Sequence, residues 1–373
     1  MNEVTGVSAV NPRSVSRVPR GWLIGAAALV VLLVAPPLVG ASQLHLPTEI
    51  FLFALFALTY DLLFGYTGMI SFGHALFVGV GAYTLGNALS VHGTPLWLAF
   101  LIVLLAGLVV SALTGLLALR TRGVYFAMVT LALAQMAFTL AESNVGELTN
   151  GDNGLGVTGA PDWLTGPGNG SHFYYVALLV LVVGFLLLRL FVHSPAGRVW
   201  QAIRENEQRA LMLGYRPFRF KLLAYVISGT IATLAGGLYA LFVGTVSTTL
   251  LSADLTIQLL LMVIIGGAGS LWGAMVGAAL MRYLNQYLNT LSTSDYITHA
   301  PNWVQQTLGQ PLLIFGCVYL VLVLFFPQGI AGLAQRWRFT GSATSHPGLS
   351  EAVATGTEVI GAEAATTDVM GTG

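Results

Sequence analysis

The sequence predicts an all-α polytopic membrane protein with about ten transmembrane helices. Of its 373 residues, 55% are hydrophobic and 8% are charged, whereas soluble domains carry about 25% charged residues. Apolar runs of roughly 20 residues recur along the chain, a length that crosses a hydrocarbon core about 30 Å thick. The basic residues gather in short clusters between these runs, as the sorting of charge across a membrane requires.

Ten apolar runs define the predicted spans. The first run, 22–41, follows three arginines and ends in Val39-Gly40-Ala41, which resembles a signal-peptidase site. It is longer than the usual signal core, so we predict that this span is retained. The ten runs are 22–41, 47–64, 74–91, 96–119, 124–142, 173–192, 220–247, 254–266, 271–290 and 310–327.

The basic clusters predict the orientation. Arg120 and Arg122 follow the fourth run, a loop at 193–219 follows the sixth, and Arg336 and Arg338 follow the last. Ten spans with both termini in the cytoplasm place all of these clusters on the cytoplasmic side. One residue, Arg282, then falls inside the ninth span. A single span over 254–281 would bring it to the cytoplasmic edge but would move Arg336 and Arg338 outside.

The same topology divides the chain into segments. Residues 1–20 form a cytoplasmic N-terminal segment and 21–330 a transmembrane domain. Residues 143–171, which have acidic side chains but no Lys or Arg, form an outer loop. Residues 339–373 are rich in small and polar residues without apolar periodicity, so we predict a disordered cytoplasmic tail.

Two glycine-rich breaks interrupt the apolar sequence, GYTGMISFG at 65–73 and GGAGSLWG at 266–273. Irregular backbone at membrane depth must be buried in protein or line a watery cavity. Interrupted helices often mark substrate pathways, but small residues also allow close helix packing. Both interpretations stay open, and the candidate pathway residues are Gly65, Gly68, Ser71, Gly73, His74, Thr130, Gln135, Gly266, Gly267 and Gly269.

Polar side chains inside the apolar runs have two possible roles each. His74 is either satisfied by a neighbouring carbonyl or part of a proton relay. Thr130 and Gln135 in the fifth run either contact a solute or form hydrogen bonds between helices. For the carboxylates Asp61, Glu142 and Asp254, which fall at span ends, we expect contact with water.

Several chemical functions are excluded by the sequence. The only lysine, Lys221, follows Phe220, so the chain has no Gly-Lys-Ser/Thr phosphate loop. It also has no HExxH metal motif and no GxSxG nucleophile elbow. Because the basic residues track membrane topology, nucleic-acid binding is not expected. We therefore predict a protein that is not an enzyme and holds no metal or cofactor.

The loop at 193–219 has the features of a capped helix. Ser194 suits an N-cap, Pro195 suits the first helical position, and Gly214 with Pro217 suits the end. At about 100° per residue, one apolar stripe contains Val199, Trp200, Ile203, Ala210 and Leu211. Glu207 falls inside this stripe. The stripe therefore either docks on a partner that supplies a cation or lies at the membrane boundary with Glu207 turned to water.

Four segments carry a resemblance to a known family. They are YDLLFGYTGMISFGHALFVGVGAY at 60–83, RTRGVYFAMVTLALAQ at 120–135, AIRENEQRALMLGYRPFRFKLLAYVISG at 202–229 and GGAGSLWGAMVGA at 266–278. Together they resemble the branched-chain amino-acid permeases of ATP-binding-cassette (ABC) transporters, above all the longer of the two permease subunits. The resemblance runs from about residue 47 to 330.

The resemblance implies a membrane permease subunit of an ABC importer in the cytoplasmic (inner) membrane. The implied partners are a second permease subunit, two cytoplasmic ATPases that bind ATP and Mg²⁺, and an extracytoplasmic solute-binding protein. The implied substrate is a branched-chain or related neutral amino acid. A cytoplasmic coupling helix between spans six and seven would contact the ATPase through Arg204, Glu205, Asn206, Glu207, Ala210 and Gly214.

The sequence departs from the family pattern in two places. Met69 stands where relatives often have Gln, and the outer loop reads LTNGDNGLGVTGAP where relatives often have a TGGSDGL-like string. These departures keep a permease for urea or short amides as an alternative of the same architecture. An autonomous channel or a proton-coupled carrier is the alternative from a different class.

Overall fold

The computed structural model describes residues 29–34, 36, 41–147, 149–165, 170–292, 316 and 329. Within these residues the chain is mostly helical, which confirms the predicted all-α fold class. Residues 1–20, most of the first predicted span, all but one residue of the tenth, and the tail 339–373 lie outside the described residues.

Eight of the ten predicted apolar runs correspond to described helices. Two short strands, β1 (Leu155–Gly156) and β2 (Thr245–Val246), pair antiparallel and pack against the helix His74–Ser90. The helices are α1 (His45–Asp61), which continues as a π-helical turn Leu62–Tyr66, α2 (His74–Ser90), α3 (Leu96–Ala118), α4 (Val124–Glu142), α5 (Asp162–Thr165), α6 (Gly170–His193), α7 (Pro195–Glu205), α8 (Glu207–Met212), α9 (Pro217–Val243), α10 (Ala253–Gly266) and α11 (Leu271–Ser292).

Glycine and proline set several of these boundaries. Proline occupies the first turn of α9, where its missing N–H leaves no hydrogen bond unmade. Helix α9 ends at Gly244, whose φ of 76° is the left-handed conformation that a side chain disfavours. Helix α4 begins after Gly123, which has a φ of 59°.

Five described helices are long and apolar enough to cross a membrane: α1 with its π-helical turn, α3, α4, α6 and α9. A sixth span results if α10 and α11 are counted as one span, although their axes differ by 119°. This bend excludes a straight span over 254–281, the alternative that the position of Arg282 had suggested. The total of about ten spans stays a prediction.

The bundle is held together by close helix contacts. Helix α9 packs against α2, α3 and α1, while α1 also packs against α6 and α11. Where α2 meets α9, a side chain on Gly81 would collide with the Thr233 carbonyl, and one on Gly236 with the Val78 carbonyl. Small residues therefore let these helices approach to backbone contact, as is common in membrane proteins.

The two ends of the bundle differ in charge. One end, called the basic end below, carries the first glycine break, the α3–α4 connection, α7, α8 and the α10–α11 turn. Apart from Arg282, every Lys and Arg of the described residues lies on or beside these elements. The opposite end carries the β1–β2 pair, and there Ser90 Oγ donates to the Gly156 carbonyl (2.8 Å). This separation matches the predicted sorting of charge.

Arg282 is the one Lys or Arg of the described residues that lies outside the basic end, and it is paired. Its guanidinium donates to the Glu49 carboxylate of α1 and lies 4.1 Å from the centre of the Phe53 ring. A buried cation inside a membrane bundle is retained when an anion of its own chain compensates it. The position of Arg282 inside the ninth predicted span is therefore compatible with that span.

Candidate functional site

Helix α7 begins as the sequence predicts. Ser194 Oγ accepts a hydrogen bond from Gly197 N (3.3 Å), and Pro195 occupies the first turn. The apolar stripe, however, packs on the chain's own bundle. Trp200 is fully buried and its Nε1 donates to the Phe220 carbonyl at the start of α9 (2.8 Å), while Val199 and Ile203 are also buried. This part of the stripe is therefore not free to dock on a partner.

The predicted continuous helix over 194–214 is wrong, because it breaks at Asn206. The backbone there is extended (φ −158°, ψ 104°), and Asn206 Oδ1 accepts from Arg209 N (2.9 Å) as the N-cap of the separate helix α8. A projection at 100° per residue that continues past Glu205 therefore assigns the wrong direction to the side chains of α8. Asparagine is among the most favoured N-cap residues, so the sequence contained a signal for this second start.

Glu207 does not need a cation from another protein. Its Oε2 accepts from Lys221 Nζ of α9 (2.7 Å), and the two side chains keep 31% and 18% of their exposure. Neither sequence interpretation, a cation from a partner or a Glu207 turned to water, included this pair, because the break at Asn206 turns α8 towards α9. The Glu207–Lys221 pair joins α8 to the start of α9.

The other predicted coupling residues differ in their exposure to solvent and in their role in α8. Ala210 is buried against Val199 and Ile203, whereas Glu205 is exposed. Gly214 ends α8 in the left-handed conformation (φ 87°), and the Tyr215 N–H then reaches back to the Ala210 carbonyl (3.2 Å). This is the closure expected of a C-terminal glycine.

The surface that α8 presents to the outside is apolar. Leu211, Met212 and Leu213 are 55%, 86% and 69% exposed, and Tyr215 adds a half-exposed ring. We call these four residues the α8 tip. A cluster of large exposed apolar side chains marks a surface for contact with a protein or a membrane. Sequence reasoning singled out only Leu211 of these four residues, although LMLGY is an apolar run within the charged loop.

Arg204 is directed to the bundle. Its Nη1 donates to the Gly65 carbonyl in the first glycine break. The side chain passes over Gly68, where an added Cβ would stand 3.1 Å from Arg204 Cγ. It ends beside Gly269, where an added Cβ would stand 2.8 Å from Nη1. Both glycine breaks are therefore in contact with one residue of α7.

The two glycine breaks also contact each other. Gly269 N donates to Asp61 Oδ1 (2.8 Å), and a side chain on Gly65 would collide with both of these groups. Gly266 in turn packs against the Gly273 carbonyl, and Gly267 is buried. Close packing thus accounts for Gly65, Gly266 and Gly269. The expectation that Asp61 contacts water was wrong, since Asp61 is fully buried, whereas Glu142 and Asp254 are exposed as expected.

The later part of the first break is held by a buried hydrogen-bond network. Thr130 Oγ1 accepts from Phe72 N (3.1 Å), and a side chain on Gly73 would collide with the Thr130 carbonyl. Ser71 is buried, with its carbonyl accepting from Tyr60 Oη (3.0 Å). These contacts tie the break to α1 and α4.

His74 lies within the same network. It is fully buried, and its Nε2 lies 3.0 Å from Thr59 Oγ1. Because the Thr59 hydroxyl donates to the Phe56 carbonyl (2.7 Å), its oxygen is left to accept the Nε2 proton. The partner is therefore a hydroxyl and not the carbonyl that the sequence suggested, and Nδ1 has no partner among the described residues.

Gln135 has a different environment from the other pathway candidates, because it is exposed on α4. It belongs to a face of α4 that also includes Tyr125, Met128, Met136 and Thr139, all of them exposed. On α3, by contrast, every exposed residue is apolar, as contact with lipid requires. Of these two helices, α4 is thus the one whose exposed face carries polar groups.

A cavity of about 940 Å³ opens at the basic end, between the first glycine break, the α3–α4 connection, α8 and the start of α9. Gly68, Ile70 and Phe126 contribute to its walls, and Arg120 and Arg122 to its edge. The part of the chain that the structure describes contains no group of three or more His, Cys, Asp or Glu side chains arranged to hold a metal ion.

The fold and these sites define a helical membrane protein with an accessory helix pair, α7 and α8, at its basic end. The chain belongs to the family described as branched-chain amino acid transport system / permease component, whose model matches residues 44–326. Members of this family are transport components and not enzymes.

Three relatives illustrate the range of the family. The chain is 27% identical over 336 residues to the high-affinity branched-chain amino acid transport system permease protein LivM of Salmonella typhimurium, covering 83% of this chain and 74% of the relative. It is 24% identical to the probable branched-chain amino acid transport permease protein LivM of Methanocaldococcus jannaschii (75% and 90% covered). It is 26% identical to the fructose import permease protein FruF of Bifidobacterium longum (56% and 60% covered).

Proposed function

We propose that this chain is the membrane subunit of an ABC importer for branched-chain or related neutral amino acids. Its membership of the permease family carries the proposal, and the α8 tip supplies the site at which a cytoplasmic ATPase would dock. In this assembly ATP and Mg²⁺ bind to two partner ATPases, a second permease completes the pathway, and a solute-binding protein delivers the substrate. This chain itself binds no cofactor.

The exposed face of α4 is the proposed wall of the translocation pathway. A zwitterionic solute needs occasional polar contacts along an otherwise apolar path, and Gln135 and Thr139 provide them on this face. The cavity of about 940 Å³ is the proposed vestibule at the cytoplasmic side. Movement of α7 and α8 by the ATPase would change the walls of this vestibule, because α8 residues line it.

Co-purification and ATP hydrolysis test the proposal. The tagged chain is purified from the membranes of its own host, and the copurifying proteins are identified by mass spectrometry. We expect an ABC ATPase and a second permease, with ATP hydrolysis stimulated by the loaded binding protein. Binding of leucine, urea and fructose to that binding protein then separates the substrate classes. A purified chain without any ATPase would contradict the proposal.

The proposed orientation has its own test. In a chain with Cys317 replaced by Ser, cysteines are introduced at Met212 in the α8 tip and at Val145 at the opposite end, where both native side chains are exposed. A membrane-impermeant maleimide should label Val145→Cys in intact cells and Met212→Cys only after the membrane is opened. Labelling of Met212→Cys in intact cells would reverse the orientation.

A further inference from the structure

Asp61 occupies an unusual place in the bundle. It is fully buried at the last residue of α1, directly before the π-helical turn. Its Oδ1 accepts from Gly269 N (2.8 Å), while its Oδ2 has no hydrogen-bond partner among the described residues. A buried carboxylate with an unused oxygen is costly. A structural role alone would be filled as well by a neutral acceptor such as asparagine.

A cation from α7 lies close to Asp61. Arg204 Nη1 donates to the Gly65 carbonyl and lies against Gly269. Asp61 lies between the same two glycines, since its Oδ1 accepts from Gly269 N and a Cβ added to Gly65 would collide with it. Arg204 is otherwise an exposed residue of a helix at the basic end. An exposed helix and a buried carboxyl group thus meet at the contact point of both glycine breaks.

We propose that Asp61 is a positioning residue for coupling, which holds the α10–α11 turn against α1 and keeps Arg204 seated on both glycine breaks. This inference rests on the proposed function, in which an ATPase moves α7 and α8. Because Arg204 contacts backbone of both breaks, displacement of α7 is passed to α1, α10 and α11.

The geometry explains why the breaks are glycine at these positions. Gly68 and Gly269 both have positive φ (72° and 85°), and both lie against the Arg204 side chain. A Cβ at either position would crowd the Arg204 side chain. The glycine breaks therefore provide a seat for a side chain from α7 in addition to close helix packing.

The test uses the assembled transporter and the substitution Asp61→Asn, which keeps an oxygen for Gly269 N but removes the charge. We expect normal ATPase co-purification and ATP hydrolysis, with at least a tenfold loss of leucine taken up per ATP hydrolysed. Arg204→Gln should give the same loss, and the double variant should lose no more than either single variant, since both act through one contact. Asp254→Asn, an exposed aspartate in α10, is the matched control and should behave as wild type.

The outcomes separate this inference from the proposed function. If the wild-type assembly contains no ATPase or shows no ATP-driven uptake, the proposed function fails first. If wild type transports and Asp61→Asn keeps the wild-type uptake per ATP, the positioning role is overturned. If the Asp61→Asn variant does not assemble, the Arg204→Gln variant tests the inference instead, because Arg204 is exposed and its replacement is less disruptive to folding. Unchanged uptake per ATP in Arg204→Gln would equally overturn the inference.

Discussion

The ion pair between Glu49 and Arg282 gives a quantitative prediction about stability. The side chains of Arg282 and Glu49 keep 17% and 12% of their exposure, so both charges are largely removed from solvent. Removing one partner of such a pair costs about 3–5 kcal/mol, whereas replacing both by apolar residues of similar size is close to neutral. The contact of Arg282 with the Phe53 ring adds about 0.5–2 kcal/mol that the double replacement also loses.

We therefore expect Arg282→Met and Glu49→Met each to destabilise the chain by about 3–5 kcal/mol. The double variant should recover most of this loss and remain within about 2 kcal/mol of wild type. Thermal unfolding of the detergent-solubilised protein, followed by fluorescence-detected size exclusion, ranks the four proteins. The reasoning is refuted if the double variant melts no higher than the less stable single variant, since the two charges would then act independently.

Four further predictions concern the basic end and the pathway. Met212→Asp in the α8 tip should abolish ATPase co-purification while leaving thermal stability unchanged, and Val145→Asp at the opposite end should leave co-purification intact. Glu207→Ala should lower the melting temperature less than Glu49→Met does, because Glu207 keeps 31% of its exposure and Glu49 only 12%; an equal or larger drop would show that the pair with Lys221 is a major support. Gln135→Leu should lower leucine uptake severalfold with normal ATPase assembly, and unchanged uptake would remove α4 as a pathway wall. Gly269→Ala should destabilise more than Gly214→Ala in the same melting assay: both have positive φ, but only Gly269 has Arg204 Nη1 within 2.8 Å of the added Cβ.

Much of the fold was predictable because it depends on local sequence. Apolar runs of membrane length gave the helices, and Ser194 with Pro195 gave the start of α7. Gly214 gave the end of α8 for the same reason, since a left-handed residue closes a helix through its neighbours alone. Each of these features is decided within a few residues.

The candidate site was predictable only in part, because its contacts join distant segments. Asp61 meets Gly269 and Arg204 meets Gly65 across 208 and 139 residues of sequence. The hydrophobic periodicity of a sequence contains no information on such contacts, so its position at a span end predicts that Asp61 contacts water. The predicted direction of the Glu207 side chain was wrong for a different reason. One extended residue, Asn206, divides the helix, so the helical projection does not apply beyond it.

The central claim is that transport by this chain depends on an ATPase that docks at the α8 tip. Uptake of radiolabelled leucine into proteoliposomes tests it most directly, with the purified chain and its second permease compared with and without the ATPases, in the presence of binding protein and ATP. The account predicts uptake only in the complete assembly, and loss of that uptake with Met212→Asp. Uptake by the permeases alone, driven by a solute or proton gradient, would contradict it.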